Sequence, residues 1–264
     1  MTGNENKAIS DESILSRFPE IRVVLFDLGG TLWKPFGEKD KDEVLDFAVS
    51  RVAEEVRSAT GRQVLQDNLK ESLLSRIDGL RPNPQGLSVP CPDSLREIDL
   101  YRVVSESLSC QQVVLDSGLI QHAGDVFGHC LSRFCVVFPD TISVLSRLKR
   151  AGFTTGIVSN TSIPPHIMDR YLADTGIMEL VNFRVLSSEV GWRKPHGKIY
   201  LEALGLAGVA AKEVLFTGDR LLEDVLGPRA MGMKSVLCRC RCLPCNFSPQ
   251  QHPDAVIGGL EEII

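Results

Sequence analysis

Apolar positions along the chain fall into two rhythms. Val23, Val24, Leu25 and Phe26 form an unbroken apolar run that stops at a carboxylate, Asp27, and Gly29 and Gly30 follow at once. A run this short, bounded by a turn, reads as a buried strand. Two glycines in the turn allow a tight backbone that a ligand can approach closely. Beyond Trp33 the strand signal gives way to a helical one. Val44, Ala48, Val52 and Val56 recur every fourth residue, and Leu65, Leu69, Leu73 and Ile77 repeat the stripe. Arg81 to Pro92 holds four prolines and one glycine and reads as a loop. Ser94–Leu108 and Leu119–Phe134 read as further helices, the second through Ala123, Phe127, Cys130 and Phe134. Such stripes are core positions of a helical subdomain inserted after the first strand.

Strand and helix alternate from Phe138 onward. Asp140 suits a helix N-cap before Ile142, Leu145 and Leu148, and Gly152 closes that helix. Phe153–Val158 is a predicted strand ending at Ser159 and Asn160. Pro164 and Pro165 open a helix to Leu172, and Phe183–Leu186 is a short strand. His196–Leu204 reads as a helix, Glu213–Thr217 as a strand ending at Gly218 and Asp219, and Asp224–Met231 as a helix. Lys234–Cys238 and Ala255–Ile257 are the last strands. This alternation predicts an α/β fold with a doubly wound parallel sheet. In such a sheet the carboxyl ends of the strands share one edge, where ligands bind. Asp27, Ser159 and Asp219 therefore converge, with Lys194 and Asp224 flanking them. Carboxylates bind Mg²⁺ through oxygen. A hydroxyl, an ammonium and a cation neutralise phosphoryl oxygens, and an aspartate can attack phosphorus. Each residue also has an ordinary reading: loop hydroxyl, solvated lysine, or helix-start charge for Asp224. Their joint order along the sheet edge favours phosphoryl transfer.

Composition trims the alternatives. The 264 residues are 43% hydrophobic, enough for one large domain or two modest ones, and the net charge of -5 offers nothing to a nucleic acid. No apolar run approaches the ~20 residues that span a bilayer. Met1–Ser10 is polar, without the apolar core of a secretion signal, and suggests a frayed tail on a cytoplasmic protein. Eight cysteines in a chain this long do not read as a disulfide framework. Cys238, Cys240, Cys242 and Cys245 crowd together, and thiolates so spaced can hold zinc. Paired Cys-x2-Cys knuckles are lacking, however, and buried free thiols are the plainer reading.

The motifs resemble those of the haloacid dehalogenase-like hydrolase superfamily. Its Asp-x-Asp-Gly-Thr motif is matched by Asp27-Leu28-Gly29-Gly30-Thr31, and its strand-ending Ser or Thr by Ser159 in Ile157-Val158-Ser159-Asn160. Its lysine is matched by Arg193-Lys194-Pro195-His196, and its Gly-Asp with a second aspartate by Gly218-Asp219 and Asp224. The resemblance spans Ile21 to Ile264. It implies a Rossmann-like core over 21–33 and 137–264, a helical cap over 34–136 and a tail over 1–20. It further implies Asp27 as nucleophile, with Ser159, Asn160 and Lys194 on the phosphoryl group. Mg²⁺ would be held by Asp27, the Gly29 carbonyl and Asp219, with Asp224 binding it or orienting its water.

One departure stands out. The family's phosphatases carry a second aspartate where this chain has Gly29, and that residue protonates the leaving group and activates water. The expected function is thus a Mg²⁺-dependent hydrolase of a small phosphorylated molecule, working through an aspartyl-phosphate. The alternatives are a weakened member that binds without turnover, or a dehalogenase or phosphonate hydrolase. The last needs a lysine from the insert, where Lys39, Lys41 and Lys70 lie in no recognisable context. His196 falls where an acidic residue is usual and reads as a helix start rather than a replacement acid. Substrate identity and oligomeric state stay open.

Overall fold

The fold is described from a computed structural model covering residues 13–78, 92–238 and 252–264. Most of the predicted loop over 81–92 and Cys240, Cys242 and Cys245 lie outside these residues, as does most of the predicted tail.

Among the described residues six parallel strands form the central sheet: β1 (Val23–Phe26), β4 (Thr154–Ser159), β5 (Phe183–Leu186), β6 (Val214–Gly218), β7 (Lys234–Cys238) and β8 (Ala255–Ile257). Their spatial order is β5-β4-β1-β6-β7-β8. The chain runs outward from β1 on one side and then returns to build the other, so β1 marks the point where the strand order reverses. Ligands settle in the crevice at such a point. The apolar run at Val23–Phe26 is unbroken because both faces of β1 are covered. Val24 and Phe26 belong to the cluster beneath α6 (Thr141–Arg150) and α7 (Pro165–Asp174), while Val23 and Leu25 pack with Ile199, Tyr200 and Ala203 of α9 (Gly197–Ala207).

Most of the expected elements are present with small shifts in their bounds. Among the described residues four helices fill the insert: α2 (Lys41–Thr60), α3 (Gln66–Asp78), α4 (Leu100–Ser109) and α5 (Ser117–Ser132). Their stripes bury Val52, Val56, Leu69, Leu73, Ala123 and Phe127 in a cluster of their own. Asp40, Asp99 and Asp116 cap α2, α4 and α5 by accepting from backbone N–H groups of the first turn.

Several expectations need correction. Ile14–Arg17, read as tail, forms a helical turn, α1, whose Ile14 and Leu15 are buried in the main core. The helix expected over Ser94–Leu108 begins only at Leu100. Before it, a short 3-10 turn at Pro92–Leu95 leads into a segment paired with the core, where the Glu97 N–H donates to the Gly191 carbonyl at 3.0 Å and Arg193 N–H to that of Leu95 at 2.8 Å. Asp140 makes no side-chain cap. Its Oδ2 accepts from the Leu260 N–H at 3.0 Å, tying the C-terminal turn to α6. The helix expected over Asp224–Met231 is a π-helical turn, Leu221–Leu226, followed by the short α10, Gly227–Ala230. A two-stranded antiparallel ribbon, β2 (Trp33–Lys34) with β3 (Val136–Val137), joins the insert to the core.

Candidate active site

Asp27 follows the last residue of β1, with its N–H donating to the Thr217 carbonyl of β6 at 2.9 Å. It is 6% exposed. Ser159 closes β4 and is buried beside the same edge. Asp219 follows β6, and Asp224 lies inside the π-helical turn. The turn's wider register buries Asp224 completely, with its Oδ2 accepting from the Arg220 N–H at 3.0 Å. Asp27, Asp219 and Asp224 each present a carboxylate oxygen within 4.8 Å of the others.

Lys194 draws this cluster together. Its ammonium reaches Asp27 Oδ1 at 2.6 Å and Asp224 Oδ1 at 2.7 Å, with 2% of the residue exposed. Burial works against that charge, but the two carboxylates outweigh it and the lysine pKa moves up. Asn160 fixes the lysine's backbone: its Oδ1 accepts from the Lys194 N–H at 2.6 Å and its Nδ2 donates to the Lys194 carbonyl at 3.0 Å. Both ends of the Asn160 amide thus hold Lys194.

Three carboxylates face the Lys194 ammonium and the Arg220 guanidinium, and Arg220 is shared with Glu223, so negative charge is in excess. Burial, then repulsion from Asp27 and Asp224, pushes Asp219 up to about 8. Burial raises Asp224 to about 7 against the opposing pull of Lys194. The Asp219 Oδ1 is buried with no hydrogen-bond partner. A buried acceptor without a donor is costly and calls for a counter-charge. A hard divalent cation with oxygen ligands matches this donor set.

The two glycines of the first loop differ. Gly30 has φ +89°, and a Cβ there would lie 2.5 Å from Asp219 Oδ2, so only glycine lets the two loops approach. Gly29 lies outside the left-handed region. A Cβ there would meet Pro35 Cγ at 3.5 Å and Trp33 Nε1 at 3.6 Å, which is ordinary contact.

A cavity of about 420 Å³ opens over these groups, bounded by Asp27, Gly29, Ser159, Asn160 and Lys194 on the sheet side. A larger groove, about 720 Å³, lies on the α9 side around Leu201 and Leu206, and none of Asp27, Asp219 and Asp224 lines it. Chemistry selects the smaller. Lys39, Lys41 and Lys70 do not line it. Lys70 is paired with Asp46 at 2.6 Å, and Lys39 with Glu43. His196 caps α9 through its Nδ1, which accepts from the Lys198 N–H.

Some residues at the site were not singled out from the sequence. Arg220 and Glu223 line the cavity and pair at 3.4 Å. Their place between Asp219 and Asp224 was the available signal. Arg193 donates through Nη1 to both oxygens of Glu97, at 2.7 and 2.8 Å, and Glu97 also accepts from the Ser187 hydroxyl. No local pattern foretells a pair so far apart in the chain.

The chain is 27% identical over 221 residues to a glyceraldehyde 3-phosphate phosphatase of Methanopyrus kandleri, covering 83% of this chain and 84% of that protein. It is 35% identical to the glyceraldehyde 3-phosphate phosphatase of Pyrococcus furiosus over 130 residues, spanning 48% of this chain and 52% of that one. The crystal structure of a 2-haloacid dehalogenase from Pseudomonas syringae pv. Tomato superposes with a TM-score of 0.67 at 23% identity, over 92% of this chain and 96% of that one. At that identity the likeness concerns fold alone. Among the described residues no helix is long and apolar enough to cross a membrane. A model of haloacid dehalogenase-like hydrolases matches residues 21–232, and on that match the chain belongs to the haloacid dehalogenase-like hydrolase family.

Proposed function

We propose that the protein is a Mg²⁺-dependent phosphatase acting on a small phosphorylated molecule through an aspartyl-phosphate on Asp27. The observation that carries this reading is the junction at Lys194. One buried ammonium joins Asp27 to Asp224, while Asp219 keeps a buried oxygen without a donor beside them. A site built only to displace halide from carbon has little use for a third carboxylate with a buried oxygen that has no donor. Phosphoryl transfer gathers negative charge and needs cations around it.

In this reading Asp27, Asp219 and the Gly29 carbonyl hold Mg²⁺. Asp224 already accepts on both oxygens, so its part is to support that set and steady Lys194. When bound, the cation supplies charge neutralisation to the phosphoryl oxygens. Lys194 aligns the Asp27 carboxylate and offsets phosphoryl charge. The Ser159 hydroxyl donates to a phosphoryl oxygen. Asn160 acts one step back, as a positioning residue for Lys194. Asp27 attacks phosphorus, and water then cleaves the acyl phosphate. Helices α2–α5 serve as a cap over the cavity. Relatives named as phosphatases of glyceraldehyde 3-phosphate, phosphoserine and phosphoglycolate support a phosphomonoester substrate.

Gly29 keeps carbon–halogen hydrolysis as the second reading, since a dehalogenase needs no acid for a halide. One panel separates the two. Phosphorylated metabolites, aryl phosphates and 2-haloacids are assayed with Mg²⁺ and with EDTA. Phosphate release that EDTA abolishes supports the proposal. Halide release indifferent to EDTA, without phosphate release, refutes it.

A further inference from the structure

The cavity says more about the leaving group, on the premise that the site is a phosphatase. Part of its lining is apolar. Trp33 and Phe36 come from the ribbon and the turn after it, Ile77 and Leu131 from the inserted helices, Ile98 from the segment before α4, and Met168 from α7. Trp33 is buried and fixed edge-on against Tyr171, with centroids 4.7 Å apart. Phe36 is half-buried and held at φ 63°, a left-handed conformation that a bulky side chain seldom adopts. Strain of this kind persists where the surroundings enforce it, commonly at binding sites.

Among the described lining residues both carboxylates are already in ion pairs, Asp27 with Lys194 and Glu223 with Arg220. Position 29 has no side chain, and no histidine is among the described lining residues. Burial pushes the Cys135 thiol up to about 11. Glu223 is engaged by Arg220 at 3.4 Å. A leaving alkoxide is about as basic as hydroxide and departs poorly unprotonated. A phenolate, with a conjugate acid of pKa ~10, departs without protonation far more readily.

We propose that the substrate is an aryl phosphate, its ring held between the Trp33–Phe36 side and the inserted helices, and its oxygen leaving as phenolate. The Asp27 carboxylate oxygen bonds to phosphorus as the P–O bond to the ring breaks. That electron pair leaves with the phenolate, which takes its proton from solvent. Water then attacks the aspartyl-phosphate. The P–O bond to Asp27 breaks, the pair returns to the carboxylate, and the water proton passes to solvent. With no base at position 29, this second step is the slow one.

The test uses the whole protein with Mg²⁺ and a series of substituted phenyl phosphates, 1-naphthyl phosphate, acetyl phosphate and butyl phosphate. We expect kcat/KM to fall at least about a hundredfold from 4-nitrophenyl to butyl phosphate, the scale of missing acid assistance. Among the aryl esters kcat should be constant, with a burst of phenol equal to the enzyme. Phe36→Asn suits a left-handed backbone and removes the ring. It should raise KM for 1-naphthyl phosphate roughly tenfold more than KM for acetyl phosphate, as expected when apolar contact is lost. Butyl phosphate turned over within tenfold of 4-nitrophenyl phosphate would overturn the proposal. So would a leaving-group dependence that is flat in the wild type and steep in Glu223→Gln, which would make Glu223 the acid. An equal effect of Phe36→Asn on both probes would also refute it. No burst and no turnover with any phosphate would instead remove the phosphatase reading itself.

Discussion

Adjacent glycines make the sharpest prediction. Gly29→Asp should fold normally and gain activity, whereas Gly30→Ala should fail. At position 29 the new Cβ meets nothing closer than 3.5 Å, and the backbone is outside the left-handed region. Replacing glycine where no strain results stabilises by ~0.4–1 kcal/mol through the unfolded chain. A fourth carboxylate near Asp27, Asp219 and Asp224 opposes this, so stability in Mg²⁺ should stay within about 1 kcal/mol of wild type. The new carboxyl supplies an acid to the leaving oxygen and a base to the attacking water. General acid–base assistance gives roughly 10²–10⁴-fold, or about 3–5 kcal/mol of barrier at 1.36 kcal/mol per decade. The gain in kcat/KM should appear with butyl phosphate and be small with 4-nitrophenyl phosphate, while kcat rises for both. At position 30 a Cβ would lie 2.5 Å from Asp219 Oδ2 on a backbone with φ +89°. Gly30→Ala must therefore displace Asp219 and lose both Mg²⁺ affinity and turnover. The assays are steady-state kinetics on alkyl and aryl esters and calorimetric titration with Mg²⁺, at matched folded fractions. A well-folded Gly29→Asp protein with no gain on either ester would show that position 29 is not the missing catalytic group.

The other predictions test the cluster. Asp27→Asn should abolish turnover and the phenol burst while preserving the circular dichroism spectrum, because the change is nearly isosteric but removes the attacking charge; turnover at the wild-type rate would exclude Asp27 as nucleophile. Lys194→Met leaves Asp27 and Asp224 facing each other without their shared partner, and denaturant titration should show a loss of about 3–5 kcal/mol, the usual result of unpairing buried charge. Mg²⁺ should raise Tm more at about pH 8.5 than at about pH 6. Asp219 is raised in the folded protein to about 8, so its contribution to metal-free stability is complete below the unfolded value of ~3.9 and is lost as pH climbs through about 8. A cation relieves that penalty where the carboxyl is ionised and must displace a proton where it is not. A Tm gain that shrinks as pH rises would contradict this assignment.

Local pattern determined a good deal. The apolar run at Val23–Phe26, the four-residue stripes of the insert and the alternation after Phe138 each follow from which faces a strand or helix must bury. Parallel strands share one carboxyl edge, so a list of strand ends was enough to bring Asp27, Ser159 and Asp219 together. His196 was legible as a helix start for a similarly local reason, its Nδ1 accepting from a backbone N–H two residues on. The tertiary structure decided whatever depends on distant partners. Two-residue strands such as Trp33–Lys34 and Val136–Val137 have no periodicity to read, and they exist only because they pair with each other. Residues 96–98 carry helix-compatible side chains, yet the core loop at 191–193 draws their backbone into an extended pairing. The π-helical turn that buries Asp224 answers the lysine it must meet, 30 residues away in the chain. Arg193 and Glu97 are separated by 96 residues, and Asn160 became a clamp on Lys194 only once β4 and the lysine loop were side by side. Whether position 29 can hold a side chain was likewise a question about Pro35 and Trp33, which no pattern around the glycine could answer. Propensity and burial act over a few neighbouring residues, whereas a catalytic cluster is an agreement among backbones that meet only after the sheet has formed.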